Sequence, residues 1–328
     1  MEILKLRYSK ISLLLIVFLL VGGCANTGPR ISKEELKKLE DEIELQATEI
    51  FMSDWVRTWK VGFDFLSILP KGTLKKRAVI GALIVSNSED IAKLYNLSTD
   101  EGYVVIGTID NFAAGPSGLQ PGDLIREIDG EKIDESNQIK FETGKSTEIL
   151  VERKGVKKSF EVMPKEMPYV RVTLKESGAV NAYAKLGEIQ FSSGMVHFVK
   201  SDDELAIVMG HELAHLISKH IPKSIGIGTL CGVVGALTGP FAPITFKALY
   251  APYGRGNERE ADYLGLIYAH SAGYDIEKGA ELWRRFAFEI PRSRSKSFLR
   301  SHPASPERIL RVKKVVELIK SGKVPLED

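Results

Sequence analysis

Only two cysteines, Cys24 and Cys231, occur among the 328 residues, so a small scaffold stapled by disulfides is excluded. Cys231 lies in an apolar, glycine-rich run, the setting of a small buried hydrophobe rather than a nucleophile. Neither sign of charge is in excess. With 45 basic and 43 acidic side chains the formal net charge is +2, and without a clustered basic face there is no footprint for nucleic acid. The opening of the chain also has no full membrane span. "ISLLLIVFLLV", Ile11 to Val21, is uninterrupted but shorter than the about 20 apolar residues that a bilayer crossing needs. What is present is apolar content, 44% of residues, ample for the cores of two or three domains.

Lys5, Arg7 and Lys10 precede the first apolar run and small residues follow it, the layout of a secretory signal peptide. The run closes on "VGGC", Val21 to Cys24, which resembles a bacterial lipoprotein signal. That resemblance implies that residues 1–23 are removed. It also implies that Cys24 becomes the N-terminus and carries a lipid, tethering the protein to a membrane so that it faces the periplasm. A plain secreted protein and an uncleaved anchor are the other readings. If Cys24 is acylated, Cys231 has no intramolecular partner.

Residues 24–74 read as a lipid tether followed by one long amphipathic helix. Ser32, with Glu35 three positions later, is a capping-box start. Leu36, Leu39, Ile43, Ile50 and Val56 then recur at helical spacing, and the charged first half reads as a solvated face. Residues 75–165 change to short β-like runs, among them "RAVIGALIV", "GYVVIGTI" and "TEILVERKG", broken by Gly, Pro and Asp turns. Within them, "FAAGPSGLQPGDLIREIDGEKI" resembles a PDZ domain of the kind found in bacterial envelope proteases, through its "GLQPGD" turn, the strand after it and the "DG" hairpin. The resemblance implies binding of extended peptide ends by strand addition to a sheet edge. One departure stands against that. Between Ile133 and the "EILVERKG" hairpin few residues remain for the helix that walls the peptide groove, which leaves a spacer or lid as the other role.

Residues 166–328 mix the two patterns. "YVRVTL" and "EIQFSSGMVHF" read as strands; "DDELAIVMGHELAHLISKH", "NEREADYLGLIYAHSA" and "IEKGAELWRRFAFEI" read as helices. The expected fold is thus α+β, a mainly helical part with a small sheet plus a β-rich PDZ-like domain.

The chemistry concentrates in "GHELAHLISKH". Residues four apart share one helix face, so His211 and His215 can offer ring nitrogens to one ion, with Glu212 placed to reach a water on it. The flanks are apolar, so these polar groups sit on a largely buried helix and need partners. Downstream, "NEREADYLG" puts Glu258 and Asp262 four apart on another predicted helix. Glu258 completes a His₂Glu set of the kind catalytic zinc uses, and Asp262 can accept the other N–H of a ligand histidine.

HExxH followed by ExxxD is the gluzincin pattern. With "NAYA", "SDDELAIVMGHELAH" and "NEREAD", the region from about Tyr169 to Arg311 resembles metallopeptidase family forty-eight, the HtpX and CAAX prenyl protease type. The resemblance implies a zincin-type domain holding one Zn²⁺ on His211, His215 and Glu258, with Glu212 as general base and proteins or peptides as substrates. It selects Glu258 over Glu260 as the acidic ligand. It also matches "SHPASPERI" to the family's C-terminal His-Pro segment. There His302 has two possible roles, donating to the oxyanion or plugging the metal, and Arg308 can brace it or contact substrate. His220 and His270 read as structural. The basic run "RSRSKSFLRS" reads as a solvated loop.

Between the ligands lies "IGIGTLCGVVGALTGPFAPITF", residues 225–246, which has no charge and is long enough for a membrane span. His215 before it and Glu258 after it must reach one ion, and a single crossing would part them. Its glycines, Pro240 and Pro243 fit a broken hairpin or lid that covers the cleft, dips into a membrane or meets an envelope partner. The function expected is a zinc endopeptidase of the bacterial cell envelope, acting on misfolded or unassembled proteins, with "GEIQFSSGMV" as the edge strand that aligns substrate. The rival is an envelope assembly or chaperone lipoprotein that binds clients with little cleavage.

Overall fold

Ser32 starts the first helix through the reciprocal bonds of a capping box. Its hydroxyl accepts from the Glu35 N–H at 3.0 Å, and the Glu35 carboxylate accepts from the Ser32 N–H at 2.8 Å. The computed structural model that shows this describes residues 29, 31–69, 72–133, 139–185, 187–218, 255–290, 298–300 and 302–323. It divides into two compact units, Met1–Glu44 and Leu45–Asp328. Helix α1, Lys33–Ile68, begins in the first, where its described residues are exposed. Everything below concerns the second unit. Cys24, Cys231, His220, the 225–246 run and most of the basic run before His302 lie outside the described residues.

The first sheet occupies the β-rich stretch. Its elements are β2 (Ala82–Ser86), α2 (Glu89–Tyr95), β3 (Tyr103–Thr108), α3 (Ala114–Ser117), β4 (Leu124–Ile128), β5 (Glu131–Lys132), β6 (Thr147–Arg153) and β7 (Val156–Val162). The strand order is β2-β3-β4-β6-β7, with β5 beside β4. Two-residue turns close two of its hairpins. Asp129 and Gly130, with φ of 52° and 80°, join β4 to β5, and Lys154 and Gly155, at 52° and 75°, join β6 to β7, the twin positive φ of a type I′ turn. The "GLQPGD" turn is pinned from β6. Buried Asp123 accepts from Arg153 at 2.5 and 2.7 Å and from the Gln120 N–H at 2.8 Å. A ribbon of β1 (Lys76–Val79) and β8 (Lys165–Pro168) flanks this sheet in sequence.

The second sheet comprises β9 (Arg171–Lys175), β10 (Ala182–Lys185) and β11 (Glu188–Ser192) in the order β10-β11-β9. β11 lies parallel to β9 and antiparallel to β10. This corrects two sequence expectations. "GEIQFSSGMV" is not an edge strand, because β11 is paired on both sides; the end strands are β10, carrying "NAYA", and β9. Nor does the strand run on to Phe198. The Ser192 hydroxyl accepts from the Met195 N–H and caps a short helix, α4 (Ser193–Phe198).

Helices α5 (Asp202–Ile217), α6 (Arg255–Ser271), α7 (Lys278–Glu289) and α8 (Pro306–Lys320), with a 3-10 turn at Phe298–Arg300, complete the chain. They share one core with the second sheet and the last turns of α1, including Phe65, Phe191, Met195, Leu205, Trp283 and Phe286. The molecule is a mixture of helix and sheet. No described helix is long and apolar enough to cross a membrane.

Candidate metal centre

Helix α5 is buried without a break from Glu204 to Leu216. Its start is fixed by the Ser201 hydroxyl, which accepts from the Glu204 N–H, and by the Glu204 carboxylate, which takes Arg285 Nη1 at 2.6 and 2.8 Å. A helix buried on every side must satisfy its polar side chains within the protein, and α6 and α8 bring the partners. α6 runs antiparallel to α5, so a turn on one meets a turn on the other. His211 stands against Asp262, with Nδ1 3.0 Å from Oδ1, and His215 stands against Glu258, with Nε2 3.2 Å from Oε1.

Four side chains, His211, His215, Glu258 and His302, point donor atoms at one place, all within 4.8 Å of one another. The edges of the His₂Glu triangle are 3.1 Å (His211 Nε2 to His215 Nε2), 3.2 Å (His215 Nε2 to Glu258 Oε1) and 3.6 Å (His211 Nε2 to Glu258 Oε2). Donors about 2.0–2.1 Å from a tetrahedral ion stand about 3.3 Å apart, so this set fits zinc. His302 Nδ1 takes a fourth vertex, 3.0 Å from both His211 Nε2 and Glu258 Oε1.

His211, Glu258 and His302 are held from behind. Arg308 forks onto Asp262, Nε to Oδ2 at 2.8 Å and Nη2 to Oδ1 at 2.6 Å, and places Nη1 3.0 Å from Glu258 Oε2. Arg308 Nη2 also approaches His211 Nδ1 and Nε2, at 3.2 and 3.3 Å, but it can only donate, whereas the Asp262 carboxylate 3.0 Å from Nδ1 can only accept. The Nδ1 proton of His211 therefore belongs to Asp262, and the lone pair sits on Nε2 facing the other donors. The Arg308 guanidinium lies 3.4 Å over the Trp283 ring. His302 is fixed by its backbone bond to Phe298 at 2.9 Å and by the Phe298 ring stacked at 4.3 Å.

Glu212 is fully buried and is not one of the four gathered donors. Neither of its oxygens makes a well-formed hydrogen bond; the Ala184 N–H is close enough to act on it, and His302 Nε2 stands 3.4 Å from Oε1. Burial, then the charge of Glu258, pushes its pKa up to about 8, while the backbone of Ala184 in β10 and the charge of Arg308 work against them. Burial lowers His302 to about 4 and holds His211 well below the ordinary imidazole value, where Arg308 adds to it. Glu258 shifts in the ionised direction. Burial opposes that, but the hydrogen bonds of His215 and His302 outweigh it.

The structure thus gathers seven of the residues singled out in the sequence: His211, Glu212, His215, Glu258, Asp262, His302 and Arg308. Glu260 stays outside, exposed and bonded to the Ser218 hydroxyl at 3.0 Å. His270 is exposed at the end of α6. Trp283 and Phe298 were not foreseen. Trp283 stands out only as one of three tryptophans, and Phe298 sits in a basic run that hides it.

Residues 151–316 match the sequence model of Peptidase family M48. The match runs from β6 into α8 and takes in all seven gathered residues. The chain belongs to peptidase family M48. Among curated relatives, mitochondrial metalloendopeptidase OMA1 of Arabidopsis thaliana is 32% identical over 136 residues, 39% of this chain and 28% of that protein. The putative beta-barrel assembly-enhancing protease of Vibrio cholerae is 31% identical over 150 residues, 40% of this chain and 31% of its own length. The chain therefore spans less than a third of either relative. Among solved structures, the HtrA3 PDZ domain bound to a phage-derived ligand is 19% identical, with a TM-score of 0.25, over 28% of this chain and 89% of that one.

Proposed function

We propose that this M48 chain is a zinc metalloendopeptidase. The observation that carries the reading is a buried His₂Glu triangle with zinc-like spacing beside a fully buried carboxylate, Glu212, that makes no well-formed hydrogen bond. When bound, zinc supplies Lewis acidity and lowers the pKa of a water molecule toward neutrality. The chain's own residues do the rest. Asp262 keeps the His211 proton on Nδ1, and Arg308 fixes Asp262 and Glu258. Glu212, buried beside the donors, is the carboxylate placed to take a proton from the attacking water and return it to the leaving amine. β10, an end strand, offers an extended substrate backbone a pairing edge beside Glu212. His302 occupies a donor vertex and must swing aside, or exchange its contact for one to the oxyanion, before substrate enters.

The setting proposed is the cell envelope, with residues 1–23 as a lipoprotein signal, Cys24 as the lipid-bearing residue and residues 75–165 as a PDZ-like domain. The name of the Vibrio cholerae relative supports an envelope role. The I′ hairpins, the pinned "GLQPGD" turn and β2 as an end strand support the PDZ-like reading. Misfolded or unassembled envelope proteins are the substrates it suggests.

The deciding experiment compares wild type with Glu212→Gln for zinc content and for cleavage of an unfolded model protein. The variant keeps about one zinc per chain and loses about 10²–10⁴-fold in rate. Zinc lost together with activity would make Glu212 a ligand. A wild type that binds zinc and cleaves nothing would move the reading to a client-binding lipoprotein.

A further inference from the structure

The ladder that aligns α5 with α6 begins one step before the metal donors, at a pair of glycines. A Cβ built on Gly210 would lie 2.4 Å from the Gly265 carbonyl oxygen and 3.1 Å from the carbon that bears it. A Cβ on Gly265 would lie 2.7 Å from the His211 amide nitrogen and 2.8 Å from the Gly210 carbonyl carbon. These obstacles are backbone, not the ends of flexible side chains, so no rotamer change relieves them. Neither glycine has a positive φ, and both stand in helix interiors, where glycine is less favourable than alanine. Helix propensity thus argues against glycine at both positions, and close approach is the reason on the page for it.

From that contact the two helices run antiparallel, and the next rungs are His211 with Asp262, then His215 with Glu258. We infer that Gly210 and Gly265 are positioning residues. Their backbone-to-backbone contact sets the interhelical distance at which His211 and His215 on α5 and Glu258 on α6 form one triangle of donors. An alanine at either position has to part the helices by about 1 Å to reach ordinary van der Waals separation, while metal–ligand bonds tolerate only about 0.2 Å. The donors on α5 and those on α6 then no longer reach one ion together. This rests on the zinc reading above, and a wild type that binds no zinc would overturn that reading without need of any variant.

The test uses the full chain stripped of metal and measures zinc affinity by competition with a chromophoric chelator, beside the melting temperature of the metal-free protein and the visible spectrum after cobalt(II) substitution. Gly210→Ala and Gly265→Ala are expected to bind zinc about 10–100-fold more weakly, the range for losing a partner that orients a ligand, and to shift the cobalt bands. Gly256→Ala is the control. It lies on the same helix with nothing within 4 Å of its built Cβ, and it binds zinc as the wild type does. Wild-type zinc affinity and cobalt bands in both crossing variants, whatever their melting temperatures, would overturn the proposal. Should Gly210→Ala fail to fold, Gly265→Ala, with the longer closest approach, carries the same comparison. Failure of both to fold also overturns it, because the glycines would then serve the fold as a whole and not the spacing of the donors.

Discussion

A carboxylate buried without a well-formed hydrogen bond, as Glu212 is, costs folding free energy whenever the unfolded chain can ionise it. Its pKa is raised from 4.5 to about 8 on folding. The unfolded state therefore releases its proton first, and stability falls as pH rises from about 4.5 to about 8. A glutamine there has no such loss. The metal-free Glu212→Gln protein is expected to melt above metal-free wild type at pH 8 and together with it at pH 4; a gap of equal size at both would remove ionisation as the cause. His302 offers a second test at this scale. Its Nδ1 stands 3.0 Å from His211 Nε2 and from Glu258 Oε1, where a substrate oxygen would approach the ion. Zinc-loaded His302→Ala should cleave a short peptide faster than wild type and hold zinc less tightly, by turnover and chelator competition. A slower variant with the same zinc affinity would favour the oxyanion role.

Among the elements, the helices of the site were the most readable. HExxH and ExxxD state a face directly, since a four-residue step on a helix is one turn, and "SDDELAIVMG" carries its own cap. Strand order is not written that way. β11 and β10 have similar alternation, and which one ends the sheet depends on pairings between segments, so the edge was assigned to the wrong strand. α4 was missed because six residues show no period, and its cap, Ser192, also ends a strand. α2 was missed for a like reason, although Ser88 caps it and Asn96 closes it in the left-handed region. His302 and Arg308 were legible only by resemblance, because contacts between residues 91 and 97 positions apart leave no local trace. The pinned turn of the first sheet gives a test at this scale. Asp123→Ala strips part-buried Arg153 of its carboxylate partner, leaving it the Gly118 carbonyl, and should cost about 1.5–3 kcal/mol in urea unfolding. Asp123→Asn, which still accepts from the Gln120 N–H, should cost less.

At the scale of the whole molecule, the N-terminal part of the chain has two roles to test. The first is the attachment proposed at Cys24. If Cys24 carries the lipid, Cys24→Ser is expected to accumulate unprocessed and to leave the membrane fraction, and normal maturation of that variant would refute the lipoprotein reading. The second is mechanical, and falls to α1. Phe51, Trp55 and Trp59 pack against the buried cluster of the first sheet, built on Leu83, Val104 and Ile106, and also against the core that holds α5 and the second sheet. Trp55 adds a bond from Nε1 to the Val172 carbonyl at 3.3 Å. One helix thus contributes side chains to both cores, and neither core can lose it without exposing apolar surface of its own. The two are expected to unfold together. In wild type, pulsed hydrogen exchange across a urea series should give one midpoint for β3 (residues 103–108) and for α5 (residues 202–217). Trp59→Ala removes a shared ring, costing about 3 kcal/mol, the low end for a tryptophan truncation. The midpoints of β3 and α5 should then separate, with the sheet opening first because its cluster is the smaller. Separate midpoints already in wild type would mean that α1 belongs to one core and merely touches the other.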